Sequence, residues 1–348
     1  MMSSQHNRIM KQSYALALLL VLTFHCQFLF ADSKQGQIIG WGSNIARQAK
    51  GIGTSDISTG FVIVAEEPLS NIVAIAAGAE HFLALRADGT IVAGGFNFYG
   101  QTTIQADLTN VVAVAAGGNH SLALRKTGKV VAWGDNQNRQ ASVPDELRDV
   151  TAIAAGWIGS LALKKDSTVI GWGAANVPIG LSNVVAIAAT SEFYGHDLAL
   201  KNDGTVVEWG ARGVNSKISV KTGLSNVVTI AAGANHSLAL KTDGTVFGWG
   251  DNSSGQATGI ATKDVPNSLG GMVIINDMVL SNIVAIAAGN EFSLALKKEG
   301  TVVAWGKNNF HQTDVPAGLS NIVAIAAGPN FCLAITTNST AAPKHWQK

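Results

Sequence analysis

Apolar residues fall into short runs along this chain, and the runs repeat in a fixed order. A run such as "NIVAIAAG" (282–289) is followed, two residues on, by the alternating segment "FSLALK" (292–297). The turn "KEG" (298–300) then leads to a third run ending in Trp-Gly, "TVVAWG" (301–306). Alternation of apolar and small or polar residues reads as strand, and a Gly-bearing turn between two such runs reads as a hairpin. Each unit therefore predicts three antiparallel strands. A polar segment such as "HQTD" (311–314) is the candidate for a short fourth.

The first run ends in Ala-Ala-Gly at Gly78, Gly117, Gly156, Gly233, Gly289 and Gly328, and in Ala-Ala-Thr at Thr190. The third run ends in Trp-Gly at Gly42, Gly134, Gly173, Gly210, Gly250 and Gly306, and in Gly-Gly at Gly95. Seven beginnings and seven endings, most of them about 39 residues apart, make seven units. Units of this size repeated radially give a seven-bladed β-propeller, an all-β fold. A linear solenoid would need polar caps at its ends, and none is visible.

The order of the pieces predicts how the ring closes. The repeats begin with "QIIGWG" (37–42), an ending without a beginning. They finish with "SNIVAIAAGPNFCLAITT" (320–337), a beginning without an ending. If 37–42 pairs with 322–336, the N-terminal strand completes the last blade and no open sheet edge remains.

Physical roles follow from the repeat. Ala-Ala-Gly suits the crowded ground near the axis. Trp41, Trp133, Trp172, Trp209, Trp249 and Trp305 are expected to plug successive layers between blades, each needing a partner for its N–H. Blade 1 has Gly94 in place of that Trp, and Phe96 is the expected substitute. His81, His120, His196 and His236 share one repeat position with Gly159, Phe292 and Phe331. A position that takes His, Gly and Phe is not a metal ligand, so these histidines are expected to fix a turn. No nucleophile elbow, phosphate loop or calcium loop occurs. Glu80, Glu192 and Glu291 could line a rim, but nothing in their spacing marks a carboxylate active site. The expectation is a non-enzyme without cofactor or metal.

The stretch "GANHSLALKTDGTVFGWGDNSSGQ" (233–256) closely resembles the repeat of the regulator of chromosome condensation family. The resemblance spans roughly residues 37–337 and implies the seven-bladed fold. The spelling "VVAWGxN…Q…VP…AIAAG…LALK" is also similar to a secreted bacterial propeller type that inhibits β-lactamases. Both matches lie in scaffold residues, and one scaffold hosts many functions.

Composition narrows the function. Charged residues are only 14% of the chain and the formal net charge is +1, with no basic cluster, so nucleic acid is not an expected partner. Arg86, Arg125, Lys164, Lys201, Lys241 and Lys297 could form a ring at the hairpin end, but most have an acid nearby, and the ring reads as a solubility feature. Residues 1–31 read as a signal peptide: Arg8 and Lys11, the apolar stretch 14–24, then Ala31 before a cleavage point. Removal would leave Cys332 as the lone cysteine, a buried small hydrophobe, and a net charge of −1. The expected layout is a signal peptide (1–31), a propeller (32–337) and a tail (338–348). A secreted or periplasmic monomer without a membrane span is expected. Nuclear nucleotide exchange fits a signal peptide poorly.

Where the repeats differ, a partner can be read. The turns after Ala-Ala-Gly and the loops after Trp-Gly should share one face, called here the top. That face carries Trp157 and Ile158, Phe193 and Tyr194, Phe98 and Tyr99, Arg212, and Phe310. Aromatics and Arg are frequent interface anchors, so these eight are the candidate binding residues for another protein. Inhibition of a secreted enzyme such as a β-lactamase is one alternative. A glycan-binding or enzymatic propeller with a central pocket is another. Two long links, 44–71 and 252–282, share "QA-GI-T-D" and an apolar run, and are expected to add strands at blade edges.

Overall fold

The computed structural model describes residues 36–46, 49, 60–64, 67–191, 195–210, 219–221, 224–262 and 270–337. The expected signal peptide and C-terminal tail lie outside them. Every element among the described residues is a strand. The strands form a seven-bladed propeller.

In each blade the first strand pairs antiparallel with the second, and the second with the third; blade 6 uses Ile283–Ala288, Phe292–Lys297 and Val302–Gly306. The seven first strands neighbour one another in a closed ring, and that of blade 7 (Ile322–Ala327) meets that of blade 1 (Ile72–Ala77). Blade 7 takes its third strand from the N-terminal side: Gln37–Gly42 pairs with Phe331–Thr336 over its full length. Here the chain has no hairpin, and Gly36 does the hairpin's work, exchanging backbone hydrogen bonds with Ile72 of blade 1. In blades 1, 2, 5 and 6 the hairpin Gly carbonyl takes the N–H of the next blade's first residue, as Gly89 does for Val111 and Gly128 for Val150.

Each first strand begins with a bulge after its first residue, preceded by Asn or Asp in the left-handed region: Asn71, Asn110, Asp149, Asn183, Asn226, Asn282 and Asn321. These residues tolerate that conformation better than most. Their carbonyls accept from the hairpin of the same blade, as in Ala87 to Asn71. The recurrent "SN" is thus the turn that lifts the chain from one blade into the next.

Seven apolar layers lie between blades in place of one central core. The "LAL" alternation of the second strand builds them. Leu83 and Leu85 of blade 1 face blade 2, where they meet Ala123 and Trp133. Leu122 and Leu124 of blade 2 face blade 3, where they meet Ala162 and Trp172. Large side chains on one face thus seat against small ones on the next.

Two expectations need correction. Residues 311–313 and their counterparts 139–141 form turns, not a fourth strand. Fourth strands occur in blades 4, 5 and 7, at Ser219–Lys221, Gly271–Met272 and Gly60–Phe61. The last two belong to the long links, which do extend blade edges and then form small hairpins, Ile63–Val64 with Glu67–Pro68 and Ile274–Ile275 with Met278–Val279. The gap at Gly94 is filled by Phe82, not Phe96. A Cβ on Gly94 would lie 2.5 Å from the Phe82 ring, which is fully buried. Phe82 stands where most blades carry Ser, so one large residue has moved across the strand pair.

The Gly of Ala-Ala-Gly has a local cause. Three residues on, a His or Phe ring packs against it: His81 on Gly78, His120 on Gly117, Phe292 on Gly289. Gly78→Ala should therefore destabilise the fold by about 3 kcal/mol, because its Cβ would sit 2.5 Å from both His81 Cε1 and the Gly117 carbonyl. Gly156→Ala should cost about 1 kcal/mol or less, because blade 3 has no such ring and the nearest atom is 3.4 Å away. Urea midpoints of the two variants check this.

Candidate functional site

The top face is built on a repeated polar relay between blades. The loop after Trp-Gly carries Asn, then Gln four residues later: Asn97 and Gln101, Asn136 and Gln140, Asn252 and Gln256, Asn308 and Gln312. The Asn side chain accepts the N–H five residues on, 2.9–3.0 Å away. The Gln side chain accepts the N–H two residues back, at 2.8–3.0 Å. Each loop is thereby closed on itself, and its Gln backbone carbonyl is pushed into the seam with the next blade.

That carbonyl takes two hydrogen bonds from the next blade. Gln101 accepts from Trp133 Nε1 (2.9 Å) and Ser121 Oγ (2.8 Å). Gln140 accepts from Trp172 (2.8 Å) and Ser160 (2.8 Å), and Gln256 from Trp305 (2.9 Å) and Ser293 (2.8 Å). Gln312 accepts from Trp41 (3.0 Å) and the Cys332 thiol (3.2 Å). The Ser oxygen in turn accepts from a His of the preceding blade: His81 to Ser121 (3.0 Å), His120 to Ser160 (2.9 Å), His196 to Ser237 (2.6 Å), His236 to Ser293 (2.8 Å).

Ser121, Ser160 and Ser293 give their protons to Gln carbonyls, so His81, His120 and His236 donate from Nε2, and burial keeps these rings neutral. Nδ1 of His81, His120 and His236 has no partner. Burial pushes these imidazoles down, to about 4 for His81 and about 3 for His120 and His236. The histidines are seam residues and not bases. Sequence reading placed them in the turn but missed the partner. The signal was present: His in one blade goes with Ser in the next, and Phe292 goes with Cys332.

The seam between blades 3 and 4 departs from this scheme. Blade 3 has three residues (174–176) between Trp-Gly and Val-Pro, against eight (135–142) in blade 2, so no Gln reaches the seam. Gly159 replaces His, and Asp197 replaces Ser. Trp209 Nε1 is buried without a partner. Burial raises the Asp197 carboxyl to about 7. In the next seam Trp249 Nε1 donates to Glu208 at 2.9 Å.

The structure puts five of the eight candidate residues on the top face. In six blades the loop after the third strand is tied to the turn of its own blade, as by Phe96 N–H to Glu80 and Asp135 N–H to Asn119. Phe98 is 79% exposed and packs edge-on to Tyr99, 37% exposed, with ring centroids 5.1 Å apart. Phe310 is half-buried at the equivalent place in blade 6. Trp157 lies nearer the axis, its ring against Gly118 of blade 2, and Ile158 beside it is half-buried. Phe193, Tyr194 and Arg212 lie outside the described residues. Two exposed residues were missed: Ile45 (78%) and Ile260 (49%) stand in the same loops of blades 7 and 5. With Phe98 and Tyr99 they place exposed apolar groups on the rim of blades 5, 7 and 1, and the half-buried Phe310 lies on blade 6 between them.

The axis opens at the top into a small well of about 60 Å³, lined by one Ala from each blade with Thr190, Ser191, Gly289 and Pro329. None of these is titratable. At the opposite end five of the six cations of the ring are paired locally, as Lys164 with Asp166 (2.9 Å) and Lys201 with Asp203 (3.4 Å). Exposed pairs of this kind contribute little. Among the described residues no cluster of His, Cys, Asp or Glu could hold a metal, and no helix is long and apolar enough to cross a membrane.

Four segments, 72–101, 111–140, 227–256 and 283–312, match the model of the Regulator of chromosome condensation (RCC1) repeat. Each ends on the Gln whose carbonyl enters the seam. No curated protein matches the chain significantly. Among solved structures, Prp20p of Saccharomyces cerevisiae is similar with a TM-score of 0.69 and 21% identity, over 90% of this chain and 94% of that one. Human WBSCR16 gives 0.66 and 18%, over 86% and 99%. The CRINKLY WD40 ectodomain of the Arabidopsis thaliana receptor kinase ACR4 gives 0.55 and 19%, over 78% and 95%. The chain is thus a seven-bladed propeller carrying RCC1 repeats.

The neutral histidines set a pH dependence. Their folded values lie below the ordinary 6.5, so below pH 6.5 the unfolded chain takes up protons that the folded chain refuses. Each of the three should lower stability by about 1.4 kcal/mol per pH unit between roughly pH 6.5 and 4. Replacing His120 by Phe and Ser160 by Cys, the pair used between blades 6 and 7, should remove one proton from that slope. Urea unfolding at pH 7, 6 and 5 measures it.

Proposed function

We propose that this chain is an exported, non-enzymatic scaffold that binds another protein through the top face of the propeller. The observation that carries this reading is the set of exposed apolar side chains on the rim of blades 5, 7 and 1, Ile260, Ile45, Phe98 and Tyr99, with the half-buried Phe310 of blade 6 between them. Each stands on a rim loop, and the Asn and Gln hydrogen bonds that close three of these loops, in blades 5, 6 and 1, keep the ordering cost of binding small. Solvent-exposed aromatics on rigid loops are costly to leave bare and favourable to cover. Similar propellers bind proteins: Prp20p has binding properties to Gsp1p and histones, and it has been solved with Kap60. Among the described residues, the side chains that line the axial well are neither acids nor bases. Export rests on residues 1–31. Inhibition of a secreted enzyme is the narrower form of the same reading.

The test is affinity capture from the exported proteome of the native host, with the chain lacking residues 1–31 as bait. A Phe98→Ser, Tyr99→Ser, Phe310→Ser variant runs beside it. One abundant protein retained by the parent and lost by the variant is expected. The same protein retained by both would remove the rim from the reading.

A further inference from the structure

The two long links carry matching hairpins whose outer edges are finished differently. In blade 5 the hairpin is Ile274–Ile275 with Met278–Val279, and in blade 7 it is Ile63–Val64 with Glu67–Pro68. The flanking residues correspond as well: Leu280 N–H donates to Val273 (2.8 Å), and Leu69 N–H to Val62 (3.1 Å). Asn276 and Asp277 both stand in the left-handed region, the two-residue turn that closes Ile275 and Met278 as a hydrogen-bonded pair. The next pair of an antiparallel ladder, here Ile274 and Val279, turns its N–H and carbonyl groups outward. Those of Ile274 face the rim loop. Its N–H donates to the Thr258 carbonyl (2.9 Å), and a Cβ on Gly259 would lie 2.2 Å from its carbonyl oxygen. Those of Val279 point the other way, and no backbone group among the described residues meets them. This strand is open to solvent, with Met278 69% and Val279 47% exposed. At the same two places blade 7 has Glu67 and Pro68, a charge and a residue without an N–H, which blunt an edge against pairing. Blade 5 leaves its edge apolar and able to pair.

We propose that the Met278–Val279 edge pairs with the same edge of a second copy of this chain, about a two-fold axis at Val279. An edge strand is its own complement in the antiparallel sense. Each Val279 N–H donates to the Val279 carbonyl of the other copy, so both outward groups are met at once. That register sets Met278 opposite Leu280 of the second copy and Asp277 opposite its Ser281, so no like charges face each other. The apolar side chains of each edge are covered by those of the other. The contact is short, so the dimer is weak and depends on concentration, in place of the monomer expected from the sequence. It lies on the outer wall of blade 5, where Gly271–Met272 pairs with that blade's third strand, and it stands apart from the top-face reading.

Sedimentation equilibrium of the chain lacking residues 1–31, from about 10 μM to 1 mM, is the test. Leaving out 1–31 keeps the apolar stretch 14–24 from associating by itself. The average mass should rise with concentration from one chain towards two and stop there. Met278→Glu with Val279→Pro copies the blade 7 hairpin onto blade 5, and Val279→Lys sets two like charges face to face. Each should hold the mass at one chain. The Phe98, Tyr99, Phe310 variant should dimerise like the parent, which separates this edge from the rim. Val279→Cys should give a disulfide-linked dimer on mild oxidation, and Ile179→Cys, at a fully exposed position away from the edge, should not. A folded parent that keeps the mass of one chain throughout this range overturns the proposal. So does a dimer that survives both edge variants, or one that Val279→Cys does not link.

Discussion

Four of the seven seams of this propeller depend on one backbone carbonyl with two lone pairs. The Gln carbonyl of one blade accepts an indole N–H and a hydroxyl or thiol from the next. Both donors would otherwise be buried without partners, at a cost of about 1–3 kcal/mol each. Around this point the rest is arranged. The Asn and Gln side chains close the loop that delivers the carbonyl. The His of the preceding blade anchors the hydroxyl. The Gly before the His leaves room for its ring. An all-apolar seam could slide; a shared acceptor fixes both the spacing and the register of neighbouring blades.

The same constraint separates scaffold from surface. Residues that serve the seam repeat, and those free of it vary. Phe98, Ile45 and Phe310 stand one or two places after the loop Asn, where side chains are not drawn into the relay. Blade 3 goes further. It gives up the loop, the His and the next blade's Ser together, and leaves Trp209 and Asp197 as the trace of the missing carbonyl.

Much of the fold was legible in the sequence, because strand periodicity and repeat spacing are local. Seven beginnings and seven endings fixed the blade number, and the displaced ending at 37–42 fixed the closure. The seam chemistry was less legible, because it joins residues of different blades. His81 and Ser121 are 40 positions apart, and nothing within either blade couples them. The exchange of Phe82 for the missing Trp in blade 1 was misassigned for a related reason. Phe96 is closer in sequence to Gly94, but Phe82 is its cross-strand neighbour. Fourth strands were misplaced because short polar segments fit a turn as well as an edge strand. Of the candidate surface, Phe98 and Tyr99 were found from their departure from the repeat. Ile45 and Ile260 were missed because they sit inside links that looked like a variant of the scaffold.

Hydrogen exchange of the six seam indoles tests the shared-carbonyl account most directly. Trp41, Trp133, Trp172 and Trp305 should exchange together, on the timescale of global unfolding, since each is held by a Gln carbonyl. Trp209, which lacks that acceptor, should exchange at least about tenfold faster through local opening of its seam. Equal protection of Trp209 and the other four would mean that the carbonyl is not what holds the blades together.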